Sequence, residues 1–250
     1  MLQQITYTSG RTRMTGTAIV TGATGGIGDA VTKRLASEGF RVIAVGTRRA
    51  ALDDLCERYG CEGIAVDIGD AAAVEAALAG LTADVLVHGA GVLGPNLPIH
   101  KTPAETIAGL IAVNLTGLFN VLRAVVPGMV ERQRGSIVLL GSICGNVPGA
   151  GPGAYSATKA AMQSVAANLR FELQETPVRV GEIRLGRVRT GIHNQLEMDA
   201  DFYDGYECIL PEDVAATISH MLATPPAVDL SIIEMLPTRQ VVGGTRFSKS

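Results

Sequence analysis

The stretch TGATGGIG, residues 21–28, follows the apolar run GTAIV (16–20) and leads into a helix-forming run. Its glycines Gly22, Gly26 and Gly28 have a G-xxx-G-x-G spacing. Glycine in a turn between a strand and a helix lets the backbone come close to a pyrophosphate, and the positive end of the helix attracts that anion. Because this turn lies at the first strand–helix junction, we predict that it binds a dinucleotide.

The rest of the chain repeats this order of a short apolar run and a longer helical run. The apolar runs lie at residues 16–22, 41–46, 61–67, 83–89, 135–141, 178–186 and 229–237. They are almost continuously apolar, as is typical of strands covered by helices on both faces. The pattern predicts an α/β fold, a single-domain Rossmann-like doubly wound parallel sheet of about seven strands with helices on both faces. We expect one domain over residues 15–245 and a flexible N-terminal extension at 1–14.

Composition excludes several classes of protein. With 47% hydrophobic and 18% charged residues, the chain can bury a large core and is not expected to be disordered. Its net charge of −3 offers no basic surface for nucleic acid. The apolar runs are short and the first residues are polar, so we expect no membrane span and no secretory signal. The cysteines form no CxxC pair and no group with histidine, which predicts free thiols, no metal site and a cytoplasmic protein. They are Cys56, Cys61, Cys144 and Cys208.

The residues that follow the second strand indicate which dinucleotide binds. They are Gly46, Thr47, Arg48 and Arg49, with no acidic residue among them. NAD sites commonly have an acid here for the ribose 2′-hydroxyl, whereas NADP sites tend to have arginine. Two cations and no carboxylate favour a 2′-phosphate, so we predict NADP(H) rather than NAD. The alternative is that Arg48 or Arg49 is a solvated residue at the start of a helix.

A tyrosine and a lysine lie four residues apart, Tyr155 and Lys159, in the run AYSATKAAM (154–162). On a helix, these two positions share one face. The spacing alone is equally typical of a polar stripe on a surface helix. The choice between a stripe and a reactive pair therefore depends on the motifs elsewhere in the chain.

Seven motifs follow one another along the chain in a fixed order. They are TGATGGIG (21–28), Asp67 in AVDIGD, DVLVHGAG (84–91), Asn114 in VNLTGLF, Ser142 in IVLLGS, YSATK (155–159) and RLGRVRTGI (184–192). On these motifs, from about residue 16 to 236, the chain resembles the short-chain dehydrogenase/reductase family. The resemblance implies an NADP(H)-dependent oxidoreductase that interconverts a secondary alcohol and a ketone or aldehyde, with a small carbonyl or a 3-hydroxy acid as substrate. It also implies a homo-oligomer, either a tetramer or a dimer.

The same resemblance assigns site residues by position. The catalytic set is Asn114, Ser142, Tyr155 and Lys159. The cofactor-binding set is Gly22, Thr24, Gly26, Ile27, Gly28, Thr47, Arg48, Arg49, Asp67, Ile68, Ala90, Gly91, Tyr155, Lys159, Gly186, Val188 and Thr190. No metal is implied.

The chemistry explains why these residue types are needed. A free tyrosine, with a pKa of ~10, is a weak base at neutral pH, and a neighbouring lysine cation would lower that pKa. Ser142 would hold the substrate oxygen against the Tyr155 hydroxyl. Asn114 would anchor a water that relays protons from Lys159. Taken singly, Ser142 is also typical of a small residue at a strand end, and Asn114 of a structural group that kinks a helix.

Two motifs depart from the family's pattern. His88 and Gly89 stand where NNAG has two asparagines, and we expect His88 to make a structural hydrogen bond rather than to act in catalysis. Leu185 replaces the proline of PG before Gly186. We expect this change to loosen the turn without removing its backbone contacts.

Substrate contacts are predicted around the far end of the site. The segment 191–213 is expected to form a small lid, and the loop 144–153 another wall. The lid's aromatic residues are Phe202, Tyr203 and Tyr206. Three arginines are candidates for a substrate carboxylate: Arg184, Arg187 and Arg189. Alternatively they pair with aspartates of the lid or face a neighbouring subunit, which we expect for at least two of them.

Two other functions remain open at this point. A non-catalytic cofactor-sensing or scaffold protein of the same fold would keep the glycine turn, but it would have no need of the complete catalytic set. An enzyme that epimerises or dehydrates a nucleotide sugar usually has a sizeable C-terminal substrate domain. We expect no such domain within these 250 residues.

Overall fold

The computed structural model describes residues 16–78, 80–192 and 208–239. Within them, seven parallel strands form one sheet: β1 (Thr17–Thr21), β2 (Arg41–Gly46), β3 (Glu62–Ala65), β4 (Val85–His88), β5 (Gly135–Ser142), β6 (Val178–Leu185) and β7 (Ile232–Met235). Their order across the sheet is β3-β2-β1-β4-β5-β6-β7. The prediction of a doubly wound parallel sheet of about seven strands is thereby confirmed.

Some predictions concern residues other than those that the structure describes. The N-terminal extension at 1–14, the lid aromatics Phe202, Tyr203 and Tyr206, and the end of the predicted domain at 240–245 lie outside the described residues. The domain bounds of 15–245 therefore stay a prediction.

Helices cover both faces of the sheet. They are α1 (Gly26–Glu38), α2 (Arg49–Tyr59), α3 (Ala71–Leu78), α4 (Ala104–Ile111), α5 (Gly117–Glu131), α6 (Gly153–Glu172) and α7 (Pro211–Ala223). Buried side chains of α1, α2 and α7 form one apolar core with the sheet, and those of α3, α5 and α6 form a second. Proline at the start of α7 needs no N–H donor there, which is why this helix begins where its sequence predicts.

Alternation of side chains along each strand fills both cores. On β1, Ala18 and Val20 belong to the core of α1 and α7, whereas Ile19 between them belongs to the core of α5 and α6. Successive residues of a strand point to opposite faces, so a strand buried on both sides must be apolar at every position. This requirement accounts for the nearly continuous apolar runs of the sequence.

A π-helical turn, Ala112–Thr116, joins α4 to α5. The sequence predicts a long helix near 103–131, and the structure adds this wider turn, which holds the buried Asn114. Among the described residues, the run from α4 through α5 is the one helix long and apolar enough to cross a membrane by length and composition, with a mean hydropathy of 1.7. Its residues Leu118, Val121 and Met129 are fully buried in the core, and the core helix of a soluble protein passes the same test.

The strand order reverses between β1 and β4, which are neighbours in the sheet although β2 and β3 come between them in the chain. Crossover connections leave β1 toward one side and β4 toward the other, so a crevice opens at the carboxyl ends of these two strands. The glycine turn of residues 21–28 lies at this point.

Candidate active site

A cavity of about 940 Å³ opens along the carboxyl ends of the strands. Most of the predicted site residues line it: Gly22, Thr24, Gly26, Ile27, Gly28, Thr47, Arg48, Asp67, Ile68, Ala90, Gly91, Ser142, Tyr155, Lys159, Gly186, Val188 and Thr190. Two do not line it, Arg49 and Asn114. The cavity thus brings together motifs that lie more than 150 residues apart in the chain.

The glycine turn fits a pyrophosphate for two reasons. Gly22 has φ of +67°, and a Cβ on it would lie 2.7 Å from the carbonyl oxygen of Gly89, so no larger residue fits. A Cβ on Gly28 would collide with the carbonyl oxygen of Gly22. In addition, α1 begins after Gly25 without a side-chain cap, which leaves its first N–H groups available to an anion.

The two arginines after β2 point in different directions. Arg48 is exposed and its Nη2 donates to the Thr24 carbonyl oxygen at 3.2 Å, so its charge lies beside the glycine turn. Arg49 instead pairs with Asp53 at 3.2 Å and donates to the Gly63 carbonyl oxygen at 2.9 Å. An i,i+4 partner and a backbone acceptor on β3 thus hold the Arg49 side chain away from the cavity, and its assignment to the cofactor site stays a prediction.

The end of β3 supplies the two residues predicted to flank an adenine ring. The Asp67 carboxylate accepts the Gly69 N–H at 2.9 Å, which fixes its position at the rim. Ile68 is buried against the Cα of Gly117 on α5. Asn120 on the same helix donates to the Ile68 carbonyl oxygen at 2.8 Å. These contacts hold the loop after β3 against α5.

Tyr155 and Lys159 lie on the buried face of α6 and both line the cavity. The Lys159 Nζ donates to the Leu140 carbonyl oxygen at 3.0 Å and stands 5.7 Å from the centre of the Tyr155 ring. Both side chains are less than a tenth exposed. The interpretation as a polar stripe on a surface helix is therefore wrong.

Burial dominates the electrostatics of this pair. It raises the pKa of Tyr155 above its usual value of 10.0, while a hydrogen bond with Ser142 acts in the opposite direction. Burial also lowers the pKa of Lys159 to about 8, although Cys144 and Glu182 oppose that change. We expected Lys159 to lower the Tyr155 pKa. In the structure, desolvation of the phenol is the largest influence on the Tyr155 pKa, and the net direction is upward.

Ser142 and Asn114 are held by hydrogen bonds to neighbouring loops. The Ser142 hydroxyl, at the end of β5, accepts the Cys144 N–H at 3.2 Å and donates to the Leu185 carbonyl oxygen at 3.4 Å. The Asn114 amide accepts the Val92 N–H at 2.8 Å and donates to the Val92 carbonyl oxygen at 2.9 Å.

Asn114 also donates to the Thr158 hydroxyl at 3.0 Å, so it ties the loop after β4 to α6 one residue before Lys159. This agrees with the structural alternative for Asn114. The proton-relay role stays a prediction.

His88, in place of the family's asparagine, is completely buried at the end of β4. Its Nδ1 shares a hydrogen bond of 3.0 Å with the Thr21 hydroxyl of β1. Burial, with a smaller contribution from the Lys159 charge, lowers the pKa of His88 to about 3, so the ring is neutral. His88 therefore makes the expected structural hydrogen bond between β1 and β4. Its Nε2 is buried with no hydrogen-bond partner among the described residues.

The three candidate arginines occupy different environments. Arg187 lines the cavity, together with Ser142 and Tyr155. Arg184 forms an ion pair at 3.1 Å with Glu182, whose side chain is only 1% exposed. Arg189 is exposed and does not line the cavity. Of these three arginines, Arg187 is the one that lines the cavity, and its contact with a substrate stays a prediction.

Sequence reasoning missed Glu182, and it included Cys144 only as part of the predicted wall. Cys144 lines the cavity, and Cys144 and Glu182 both act to raise the pKa of Lys159. The signal for Cys144 was its position two residues after Ser142, whereas a lone glutamate inside an apolar strand was the signal for Glu182. The predicted wall at 144–153 does line the cavity, through Cys144 and residues 149–152.

Comparison with known proteins gives a consistent family. The model of the family described as short chain dehydrogenase matches residues 16–201. A short-chain type dehydrogenase/reductase of Sinorhizobium fredii is 38% identical over 236 residues, which are 93% of this chain and 95% of that protein. An NADP-dependent 3-hydroxy acid dehydrogenase of Escherichia coli is 35% identical over 90% of this chain and 96% of its own length.

Comparison with solved structures points to the same family. The closed form of a serine dehydrogenase complexed with NADP⁺ has a TM-score of 0.87 and 35% identity, covering 95% of this chain and all of that one. A serine dehydrogenase from Escherichia coli has a TM-score of 0.80 at 35% identity, over 91% of this chain and 100% of that one. With the fold, the glycine turn and the arrangement of Ser142, Tyr155 and Lys159, these matches show that the chain belongs to the short-chain dehydrogenase/reductase family.

Proposed function

We propose that this enzyme uses NADP(H) to interconvert the hydroxyl group of a small 3-hydroxy acid and the corresponding ketone or aldehyde. The observation that carries the proposal is the presence of Arg187 in the same cavity as Ser142 and Tyr155. A guanidinium group pairs with a carboxylate through charge-assisted hydrogen bonds. An arginine near the residues predicted to handle the hydroxyl therefore suits a substrate that carries both groups, as 3-hydroxy acids and serine do.

The cofactor is NADP(H). Arg48 places a cation beside Thr24 and the glycine turn, where the second strand ends. The Escherichia coli relative is described as NADP-dependent, and the serine dehydrogenase structure is a complex with NADP⁺. Both agree with the missing acid and the arginine after β2.

The chain's own residues would handle the proton and the substrate oxygen. When bound, the nicotinamide ring supplies or accepts the hydride. Ser142, fixed by Cys144 and Leu185, holds the substrate oxygen. Tyr155 takes the proton of the alcohol or returns one to the ketone. Lys159, held by the Leu140 carbonyl oxygen, stabilises the phenolate that forms.

Replacing Tyr155 tests the chemical role. Tyr155→Phe removes the proton donor but keeps the ring, so we expect turnover to fall by about 10²- to 10⁴-fold while NADPH binding persists. Initial rates and a fluorescence titration with NADPH measure the two properties. Turnover close to that of the wild type would contradict the assignment of Tyr155. A wild-type protein that binds NADPH yet reduces no ketone in a broad panel would instead support the non-catalytic alternative.

Replacing Arg187 tests the proposed class of substrate. We expect Arg187→Gln to raise KM about 10- to 100-fold for a 3-hydroxy acid, because a charged hydrogen bond is lost. KM for the methyl ester of the same acid should change little. Arg189→Gln, a change on an exposed side chain outside the cavity, is the matched control. Equal effects on acid and ester would show that Arg187 does not bind the carboxylate.

The proposal also includes the oligomeric state of the protein and its location in the cell. We infer a cytoplasmic homo-oligomer, either a tetramer or a dimer, formed through α4, α5 and α6. Exposed apolar side chains on these helices support self-association, namely Ile111, Phe119 and Phe171, which are 43%, 46% and 69% exposed. Light scattering of the purified protein measures the oligomeric state, and a monomer at micromolar concentration would contradict this inference.

A further inference from the structure

Two cysteines face each other at the far end of α2 from Arg48. Cys56 lies in the last turn of α2, and Cys61 follows the glycine that ends the helix, Gly60, whose φ is +67°. This left-handed glycine turns the chain back, so that the Sγ atoms of the two cysteines are 2.9 Å apart. That separation is less than 1 Å longer than a disulfide bond, which is about 2.05 Å.

The pair is reachable from solvent. Both cysteines are partly exposed free thiols, and Cys61 packs against the edge of the core. Gly63, on β3, has no side chain and so leaves space for the Cys56 and Arg49 side chains. A Cβ on Gly63 would lie 3.3 Å from the Cys56 Sγ and 2.8 Å from the Arg49 Nη2. The Arg49 guanidinium therefore lies over the same glycine as the Cys56 sulfur. The thiolate is the nucleophile in exchange between a thiol and a disulfide.

Burial and the neighbouring Cys56 raise the pKa of Cys61 to about 12. Cys61 is therefore the weaker nucleophile toward a reagent in solution. Its nearness to Cys56 compensates in a second, intramolecular step, because a group held at contact distance reacts as if at very high concentration. The two thiols thus suit different steps of one exchange reaction.

We propose that Cys56 and Cys61 form a reversible dithiol–disulfide site, oxidised by small-molecule disulfides. The Cys56 thiolate attacks one sulfur of the oxidant, which breaks the oxidant's S–S bond and releases one thiol. Cys61, losing its proton, then attacks the Cys56 sulfur of the mixed disulfide and releases the second thiol. The protein loses two electrons and two protons, and the oxidant becomes two thiols. The new bond ties the end of α2 to the start of β3.

Oxidised glutathione tests the proposal on the whole, folded protein. After incubation, alkylation in denaturant and mass analysis, we expect two of the four cysteines of the chain to escape alkylation with no glutathione attached. Peptide mapping should show residues 56 and 61 joined, and dithiothreitol should reverse the bond. The oxidised form should also unfold at a higher temperature than the reduced form. Four alkylated cysteines, or glutathione retained on Cys56, would overturn the proposal.

Matched variants separate this site from general thiol reactivity. Cys61→Ser should hold one glutathione on Cys56 and show no rise in unfolding temperature on oxidation. Cys208→Ser, which changes a cysteine away from α2, should still form the bond between Cys56 and Cys61. Equally fast formation of the bond in denatured wild-type protein would also overturn the proposal, because the fold would then contribute nothing to the pair.

Discussion

At the scale of single residues, Lys159 carries a conflict between stability and activity. Its pKa falls from 10.5 to about 8 because the ammonium group is buried, with Glu182 and Cys144 opposing that change. The drop corresponds to a cost on the order of 3 kcal/mol for keeping the charge in the folded protein at neutral pH. The proposed mechanism uses this charge to stabilise a phenolate at Tyr155. The enzyme is therefore expected to be less stable than its fold allows.

This conflict predicts that Lys159→Met abolishes turnover and stabilises the protein by about 1–3 kcal/mol at pH 7. The sign follows from proton binding: the unfolded chain protonates Lys159 up to pH 10.5, the folded chain only up to about pH 8. Stability contributed by the wild-type lysine therefore rises between these two pH values. The advantage of the variant should shrink over that interval, as urea unfolding of both proteins at pH 7 and pH 10 would show. A variant no more stable than the wild type at pH 7 would contradict this account.

At the scale of secondary-structure elements, the start of α2 determines which arginine lines the cavity. Arg48 stands just before the helix in an extended conformation and reaches back to Thr24. Arg49 is the first helical residue, so the i+4 position places Asp53 beside it. A shift of the helix start by one residue would exchange these two roles.

We therefore predict different effects from two neighbouring substitutions. Arg48→Ala should weaken NADPH binding about 10- to 100-fold, as expected for a lost charged hydrogen bond to a phosphate, while NADH binding stays weak and unchanged. Arg49→Ala should change NADPH affinity less than about threefold, since an exposed ion pair contributes little. Titration of both variants with NADPH and NADH measures this. A larger loss at Arg49 would show that its side chain leaves Asp53 when the phosphate binds.

At the scale of the whole molecule, the sheet and most of the cavity could be predicted from sequence. Strands buried on both faces must be apolar throughout, and a glycine turn that no larger residue fits must keep its spacing. The π-helical turn could not be predicted, because it depends on Asn114 pairing with Val92 and Thr158, contacts that exist only once the loop after β4 meets α6. The direction of the Tyr155 pKa was missed for a similar reason: desolvation depends on packing, which local sequence does not reveal.

Two arginines that line the cavity, Arg48 and Arg187, lie on different loops, which affects how substitutions at the two positions combine. Arg48 follows β2 and Arg187 follows β6, on opposite sides of the point where the strand order reverses. Because separate connections carry them, an exchange at one position need not disturb the other, and the free energies of such distant changes are expected to add. Preference for a coenzyme and preference for a metabolite could therefore have been acquired, lost or engineered as independent traits.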